Sequence, residues 1–164
     1  ITESGTYTLH PLNTPEGNSY KIFSPNSDTE YFILEYRTQD GMYEENLPGN
    51  RSGLIIYRVN PNAGNGNAQG PPDEVYLYRP GGTLTSQGSF VSAPYNADWS
   101  HTEINDFSNP EPFLYNEGLG GQGGLNLLNV GSAGETISGQ TEIKVLATDN
   151  NQIDSVFFIC PSLS

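Results

Sequence analysis

The sequence predicts an all-β fold, a two-sheet antiparallel β-sandwich of the jelly-roll type with long loops. Apolar and polar residues alternate over short segments, most clearly in residues 30–37 (EYFILEYR). The 164 residues include 19 glycines and 12 prolines, which favours many short strands joined by turns. We expect residues 1–160 to form a single domain and residues 161–164 to be a tail or the start of a linker.

Each predicted strand is bounded by residues typical of turns. The predicted strands are 5–9, 20–23, 30–37, 54–59, 74–79, 125–130, 142–145 and 156–160. In the third strand, Phe32, Leu34 and Tyr36 share one face. The predicted core consists of Leu34, Tyr36, Leu54, Ile56, Val75, Leu77, Leu125, Leu127, Ile143, Val145 and Phe157. Residues 60–70 are expected to be an exposed loop, and residues 86–121 a long ordered loop with one or two short strands.

Charge and composition exclude several classes of partner. Six basic residues face nineteen acidic ones, for a formal net charge of −13. This balance argues against nucleic acids and anionic membranes, both of which are bound through Lys and Arg. The single cysteine, Cys160, cannot form an internal disulfide. It is expected to be a small apolar residue of the last strand, with an intermolecular or redox role as the alternative. We expect a monomer.

Five segments of the chain carry a resemblance to a known family: 31–37 (YFILEYR), 47–60 (LPGNRSGLIIYRVN), 70–83 (GPPDEVYLYRPGGT), 101–113 (HTEINDFSNPEPF) and 123–138 (GGLNLLNVGSAGETIS). In this order they resemble the region downstream of the catalytic domain in immune inhibitor A-like metallopeptidases, which are secreted multidomain zinc peptidases. The resemblance implies a secreted, extracellular accessory β-sandwich that is covalently linked to a catalytic domain. Family members often carry His-Val-Asp where this chain has Arg58, Val59 and Asn60, so no role of that His or Asp is transferred.

The residues needed for catalysis are missing from the sequence. A zinc peptidase needs a His-Glu-x-x-His helix, but this chain has only His10 and His101, in distant segments. No Gly-x-Ser-x-Gly elbow for a serine hydrolase occurs. Pairs of carboxylates suitable for a glycosidase are too numerous among nineteen acids to discriminate anything. We therefore expect a domain that binds and has no enzymatic activity.

Calcium is the expected cofactor, with a structural role. Acidic loops beside strands offer the oxygen ligands that Ca²⁺ prefers. The candidate ligands are Asp40, Glu45, Asp73, Glu74 and Asp106. They have no EF-hand spacing, so the alternative is that they are ordinary solvated acidic loops.

A polysaccharide, expected to be neutral because of the charge of −13, is the favoured ligand. Domains attached to secreted hydrolases often hold sugars against exposed rings, with polar side chains on the hydroxyls. The candidates are Trp99, Tyr95, Asp98, Asn105, Tyr115 and Tyr43. The polar neighbours of Trp99 favour partial exposure, and the alternative is that Trp99 caps the core. A different function is also possible: a structural domain that stabilises a neighbouring metallopeptidase domain by docking through residues 30–37.

Overall fold

The computed structural model describes residues 1–40, 44–45, 51–68, 73–131 and 141–145. Within them the chain is built from short strands, and its helices are single turns of 3₁₀ type. The strands are β1 (Gly5–Leu9), β2 (Ser19–Phe23), β3 (Tyr31–Arg37), β4 (Gly53–Val59), β5 (Val75–Leu77), β6 (Leu127–Leu128) and β7 (Thr141–Val145). The all-β class predicted from alternation is confirmed. The predicted strand 156–160 lies outside the described residues.

β2 to β5 form a four-stranded antiparallel sheet in the order β2-β3-β4-β5. Phe32, Leu34 and Tyr36 of β3 are fully buried on one face, as the alternation of residues predicts. On β4, which pairs with β3 over seven residues, Leu54 and Ile56 continue this buried face. The inner face of the sheet is therefore the one that the sequence pattern indicates.

The predicted orientation of β5 is wrong. Val75 is 39% exposed and Leu77 is half-buried, whereas Tyr76 is buried. The reason is the register, in which Tyr76 lies opposite Arg58, a residue of the inner face of β4. Side chains alternate along a strand, so this pairing sends Val75 and Leu77 to the outer face. Both faces of β5 carry large apolar or aromatic groups, and alternation alone could not distinguish them.

β1, β7 and β6 form a second antiparallel sheet in that order. Residues of both sheets contribute to a single hydrophobic core, which includes Leu9 of β1 and Leu127 of β6. The predicted core positions Leu125 and Val145 are buried as well. Phe157 lies outside the described residues, as does the side chain of Ile143.

Residues 78–126 form a long ordered loop that includes the predicted loop 86–121; in place of the short strands expected there it has isolated bridges. Three 3₁₀ turns interrupt it, at Phe90–Ser92, Ala97–Trp99 and Asn116–Gly118. Isolated bridges connect it to the strands, for example between Leu54 and Tyr95 and between Ile104 and Leu127. These bridges fix loop residues against the sheets. In the part of the chain that is described, no helix has the length and apolar character needed to cross a membrane.

Candidate functional site

Trp99, the first predicted sugar-binding residue, ends the 3₁₀ turn Ala97–Trp99 and is 52% exposed. This agrees with the predicted partial exposure and rules out the alternative that the ring caps the core. The guanidinium of Arg51 lies 4.1 Å from the centroid of the Trp99 ring, a cation–π contact that covers one ring face. Trp99 therefore offers a ligand only its other face.

Tyr95 is a correction to the predicted sugar-binding set. Its side chain is 0% exposed, so it cannot contact a glycan. Tyr95 and Leu54 exchange two backbone hydrogen bonds of 2.8 and 2.9 Å, which draws this loop residue against β4. The ring stacks on His101 at 3.7 Å between centroids. Burial in this position raises the pKa of Tyr95 well above its usual value.

The other predicted sugar-binding residues do not converge on Trp99. Asp98 is exposed next to it in sequence. Asn105 uses its side-chain oxygen to accept a hydrogen bond from the backbone N–H of Phe107, which stabilises a turn. Tyr115 is half-buried at a separate cleft, and Tyr43 lies outside the described residues.

The predicted calcium ligands are not brought together. Among the described residues, no group of three or more His, Cys, Asp or Glu side chains could hold one metal ion. The carboxylate of Asp106 accepts a hydrogen bond from the backbone N–H of Gly124 at 3.1 Å, and that of Glu74 accepts one from Gly66. Asp40, Glu45 and Asp73 lie on other loop segments. Where their contacts are described, these carboxylates stabilise turns, so the five do not fit a single calcium site.

A polar cleft of about 550 Å³ opens beside the four-stranded sheet. Three separate segments form it: the turn between β2 and β3, the residues that follow β4, and the 3₁₀ turn after Phe113. Its lining residues are Asn26, Ser27, Asp28, Thr29, Glu30, Asn60, Asn62, Ala63, Tyr115, Asn116 and Glu117. The volume is within the range of small-molecule sites in proteins. Four asparagines, three acids and one aromatic ring make it a site for a polar ligand.

The floor of the cleft is built on a buried ion pair. Glu30 is 3% exposed, and its Oε2 lies 3.2 Å from Nε of Arg58, which is buried too. The Nε–H does not point at this oxygen, so the contact is an ion pair without a hydrogen bond. Glu30 also accepts hydrogen bonds from the backbone N–H groups of Tyr115 and Asn116, at 2.9 and 2.7 Å. One carboxylate thus joins β4 to the loop that carries the aromatic ring of the cleft.

The cleft backbone next to Glu30 has an unusual conformation. Asn116 and Glu117 have φ values of 44° and 54°, and Gly118 follows with 90°. Two successive non-glycine residues in the left-handed region cost free energy and require support from their surroundings. The two hydrogen bonds to Glu30 provide that support at the start of the turn. Strained backbone of this kind often occurs at binding sites.

Asn60, which follows β4 directly, supplies a free donor in the cleft. Its side chain is 4% exposed, and its Oδ1 accepts a hydrogen bond from the backbone N–H of Asn62 at 3.2 Å. This bond fixes the amide so that Nδ2 points away from the Asn62 backbone. No residue in the described ranges accepts a hydrogen bond from Nδ2. Because Asn60 lines the cleft, a ligand there could accept a hydrogen bond from Nδ2.

Among the predicted sugar-binding residues that the structure describes, Tyr115 is the one that lines the cleft, and the other lining residues are outside that set. The signal that could have found the others is the recurrence of asparagine just after strands: Asn26 follows β2, and Asn60 and Asn62 follow β4. Asparagine is also common in turns, so this signal alone indicates loops and not a site.

The outer face of the four-stranded sheet is a second notable surface. Large side chains such as Tyr31, Ile33 and Tyr57 are only half-buried there. The ammonium group of Lys21 lies 3.6 Å from the ring centroid of Tyr31, and Arg37 forms a 2.9 Å ion pair with Glu35 along β3. The face thus combines apolar rings with paired charges.

Comparisons with known proteins add no relative: no family model matches the chain, and no curated protein or solved structure gives a significant match.

Proposed function

We propose that this chain is a non-catalytic domain that binds carbohydrate in the cleft between the β2–β3 turn, the end of β4 and the turn at Tyr115. The observation that carries the proposal is the cleft itself, a preformed volume of about 550 Å³ lined by four asparagines and bordered by an aromatic ring. Sugars present hydroxyl groups in a ring around flat apolar faces. A site that joins amides to an aromatic side chain matches both features.

The chemistry of the lining residues supports a polyhydroxyl ligand. The Asn60 amide offers a donor to a hydroxyl or ring oxygen, and amide and carboxylate oxygens accept from hydroxyl hydrogens. Tyr115 offers a partly exposed ring to the apolar face of a sugar. Because Glu30 fixes the backbone that carries the Tyr115 ring, less of the chain has to be ordered when a ligand binds, which lowers the entropic cost of binding.

The wider setting of the domain is part of the same proposal. The resemblance to immune inhibitor A-like peptidases supports an accessory domain of a secreted hydrolase, and the shared core of two antiparallel sheets supports a sandwich. Calcium remains a prediction from the acidic composition. The five candidate residues do not form one site together, so a bound ion would need a different set of ligands. A melting scan with a chelator tests it, since a structural ion raises the melting temperature.

Substitutions in the cleft test the proposal directly. Tyr115→Leu and Asn62→Ala should each weaken binding to an oligosaccharide by about tenfold, the effect of losing one stacking contact or one good hydrogen bond. Binding is measured by calorimetry after a glycan array has identified the best ligand, and the melting temperature checks folding.

Trp99→Ala is the matched control, because it removes an exposed ring outside the cleft. It should leave affinity unchanged. Loss of binding in this variant alone would move the site to Trp99. If the chain binds no glycan on the array, carbohydrate binding is rejected. Hydrolysis of a bound sugar would reject the non-catalytic assignment.

A second candidate function is docking onto a neighbouring protein domain, favoured by the half-buried rings on the outer face of the four-stranded sheet. Such a face can pack on a partner. Ile33→Glu should then release the domain from its partner in the parent protein, measured by limited proteolysis, without affecting sugar binding. An unchanged digestion pattern would argue against docking.

A further inference from the structure

We propose that the ligand of the cleft is an amino sugar with a free, protonated amine, most simply an oligosaccharide of glucosamine units. The proposal rests on the proposed function and specifies the substrate class of the same site. It also changes the earlier expectation of a neutral glycan.

The charge of the cleft favours a cationic ligand. Two exposed carboxylates, Asp28 and Glu117, line the cleft. In the described part of the chain, neither accepts a hydrogen bond or lies within 4 Å of a basic group. The third acid, Glu30, is already neutralised by Arg58. The cleft therefore carries two negative charges that the described residues leave uncompensated.

Three asparagine side chains of the cleft use their N–H donors within the protein. Asn26 donates from Nδ2 to the carbonyl of Gln122 at 2.8 Å, and Asn116 donates to the carbonyl of Gly120 at 3.0 Å. Asn62 makes a longer contact of 3.5 Å from Nδ2 to Oγ1 of Thr29. Each of these three amides uses its donor within the protein, and no described group donates to its oxygen. Their side-chain oxygens remain available as acceptors. A ligand that fits them must therefore be rich in hydrogen-bond donors.

The amide of Asn60, a residue that is 4% exposed, is an observation independent of the acids. Its Nδ2 is a donor, and none of the described residues accepts a hydrogen bond from it. A bare metal ion cannot use such a donor, because metal ligands must offer lone pairs. A sugar can use it, since each hydroxyl accepts as well as donates. The polar groups of the cleft therefore match a ligand that combines a positive charge with hydroxyl oxygens.

A protonated amino sugar meets both demands. Its ammonium group supplies three donors and a positive charge for the carboxylates and amide oxygens, and its hydroxyls accept from Asn60. A neutral sugar would shield Asp28 and Glu117 from water without giving them a counter-charge, which weakens binding. N-acetylation removes the charge and should have the same effect.

The test compares three oligosaccharides of equal length by calorimetry: glucosamine, N-acetylglucosamine and glucose oligomers. Measurements are made at low salt and at a pH where the sugar amine is protonated. The glucosamine oligomer should bind at least about tenfold more tightly than the other two, as expected for charge-assisted hydrogen bonds. The double variant Asp28→Asn with Glu117→Gln should abolish this difference.

Glu111→Gln is the matched control, because Glu111 is an exposed acid outside the cleft. It should preserve the preference. Equal affinity for all three oligomers would overturn the amine requirement but not carbohydrate binding. If none of the three oligomers binds, both the amine requirement and carbohydrate binding are rejected. Binding of oligolysine but of no glycan, with the same sensitivity to the double variant, would replace the sugar by a basic peptide.

Discussion

Carboxylates at the floor and at the rim of the cleft have opposite surroundings. On the floor, Glu30 is buried, paired with Arg58 and bonded to two backbone N–H groups. On the rim, Asp28 and Glu117 are exposed and have no basic partner among the described residues. The floor carboxylate has all the partners that it needs, and its role is structural. The rim carboxylates have no basic partner in the part of the chain that the structure describes, which leaves them available to a ligand.

This contrast separates stability from binding. Removing one member of a buried ion pair leaves the other charge without compensation and costs a large part of the stability of a domain. Removing an exposed carboxylate costs almost nothing, yet can remove the attraction for a cationic ligand. The same chemical change, a carboxylate to an amide, should therefore give different results at the two places.

The largest effect is expected at the floor. Glu30→Gln should lower the free energy of unfolding by about 3–5 kcal/mol, because Arg58 stays buried without its counter-ion. The measurement is urea denaturation. Glu35→Gln is the matched control: it breaks a partly exposed ion pair with Arg37, which keeps Glu44 at 3.5 Å, and should cost no more than about 1 kcal/mol. Equal losses in both variants would mean that the floor pair has no special role.

A much smaller change in stability is expected at the rim. Asp28→Asn and Glu117→Gln should each alter the free energy of unfolding by less than about 0.5 kcal/mol, since neither carboxylate has a described partner to lose. The same denaturation curves measure this. A rim variant as unstable as Glu30→Gln would show that the rim acids are structural, and it would remove the contrast.

The smallest effect concerns pH and His101, a half-buried histidine whose ring stacks on Tyr95. Burial lowers the pKa of His101, and its Nδ1 lies 3.3 Å from the carbonyl of Pro94. Since the folded pKa lies below the unfolded value of about 6.5, the unfolded chain binds a proton first as the pH falls. The contribution of His101 is therefore complete above that value and declines below it, towards the lowered folded pKa.

Melting temperatures across this window should fall with decreasing pH in the original chain. They should fall less in His101→Phe, which keeps a ring against Tyr95 but cannot be protonated. His10→Gln, at the other histidine, serves as the control. Parallel curves for the original chain and His101→Phe would show that His101 has no part in the dependence.

The sequence predicted the sheet better than the site, and the reason lies in the range of the interactions. Alternation in residues 30–37 identifies the buried face of β3 because each strand has only two faces and one of them is clearly apolar. It failed at β5, where Val75 and Tyr76 are both suited to a core and the pairing with β4 decides between them.

Burial in the loops could not be predicted by periodicity. Tyr95 and Trp99 are four positions apart in one irregular segment, yet the first is fully buried and the second half-exposed. The difference comes from the isolated bridge between Tyr95 and Leu54, a contact between distant parts of the chain. Local sequence contains no signal for such a bridge.

The cleft escaped prediction for the same reason, because its three segments meet only in the folded chain. Glu30 is the first residue of a predicted strand. Its role depends on the backbone N–H of Tyr115, 85 positions later in the chain. The same holds for Arg58 and Asn60 at the end of β4, whose roles depend on segments that are distant in sequence. Both residues contribute to the cleft, Arg58 beneath its floor and Asn60 in its lining.

The most direct test of the binding site is an NMR titration of the labelled chain with the glucosamine oligomer. We expect the side-chain amide signal of Asn60 and the backbone amide signals of Tyr115 and Asn116 to shift in proportion to saturation. The indole signal of Trp99, the only tryptophan, should stay in place. Shifts at the Trp99 indole with the cleft signals unchanged would contradict the account.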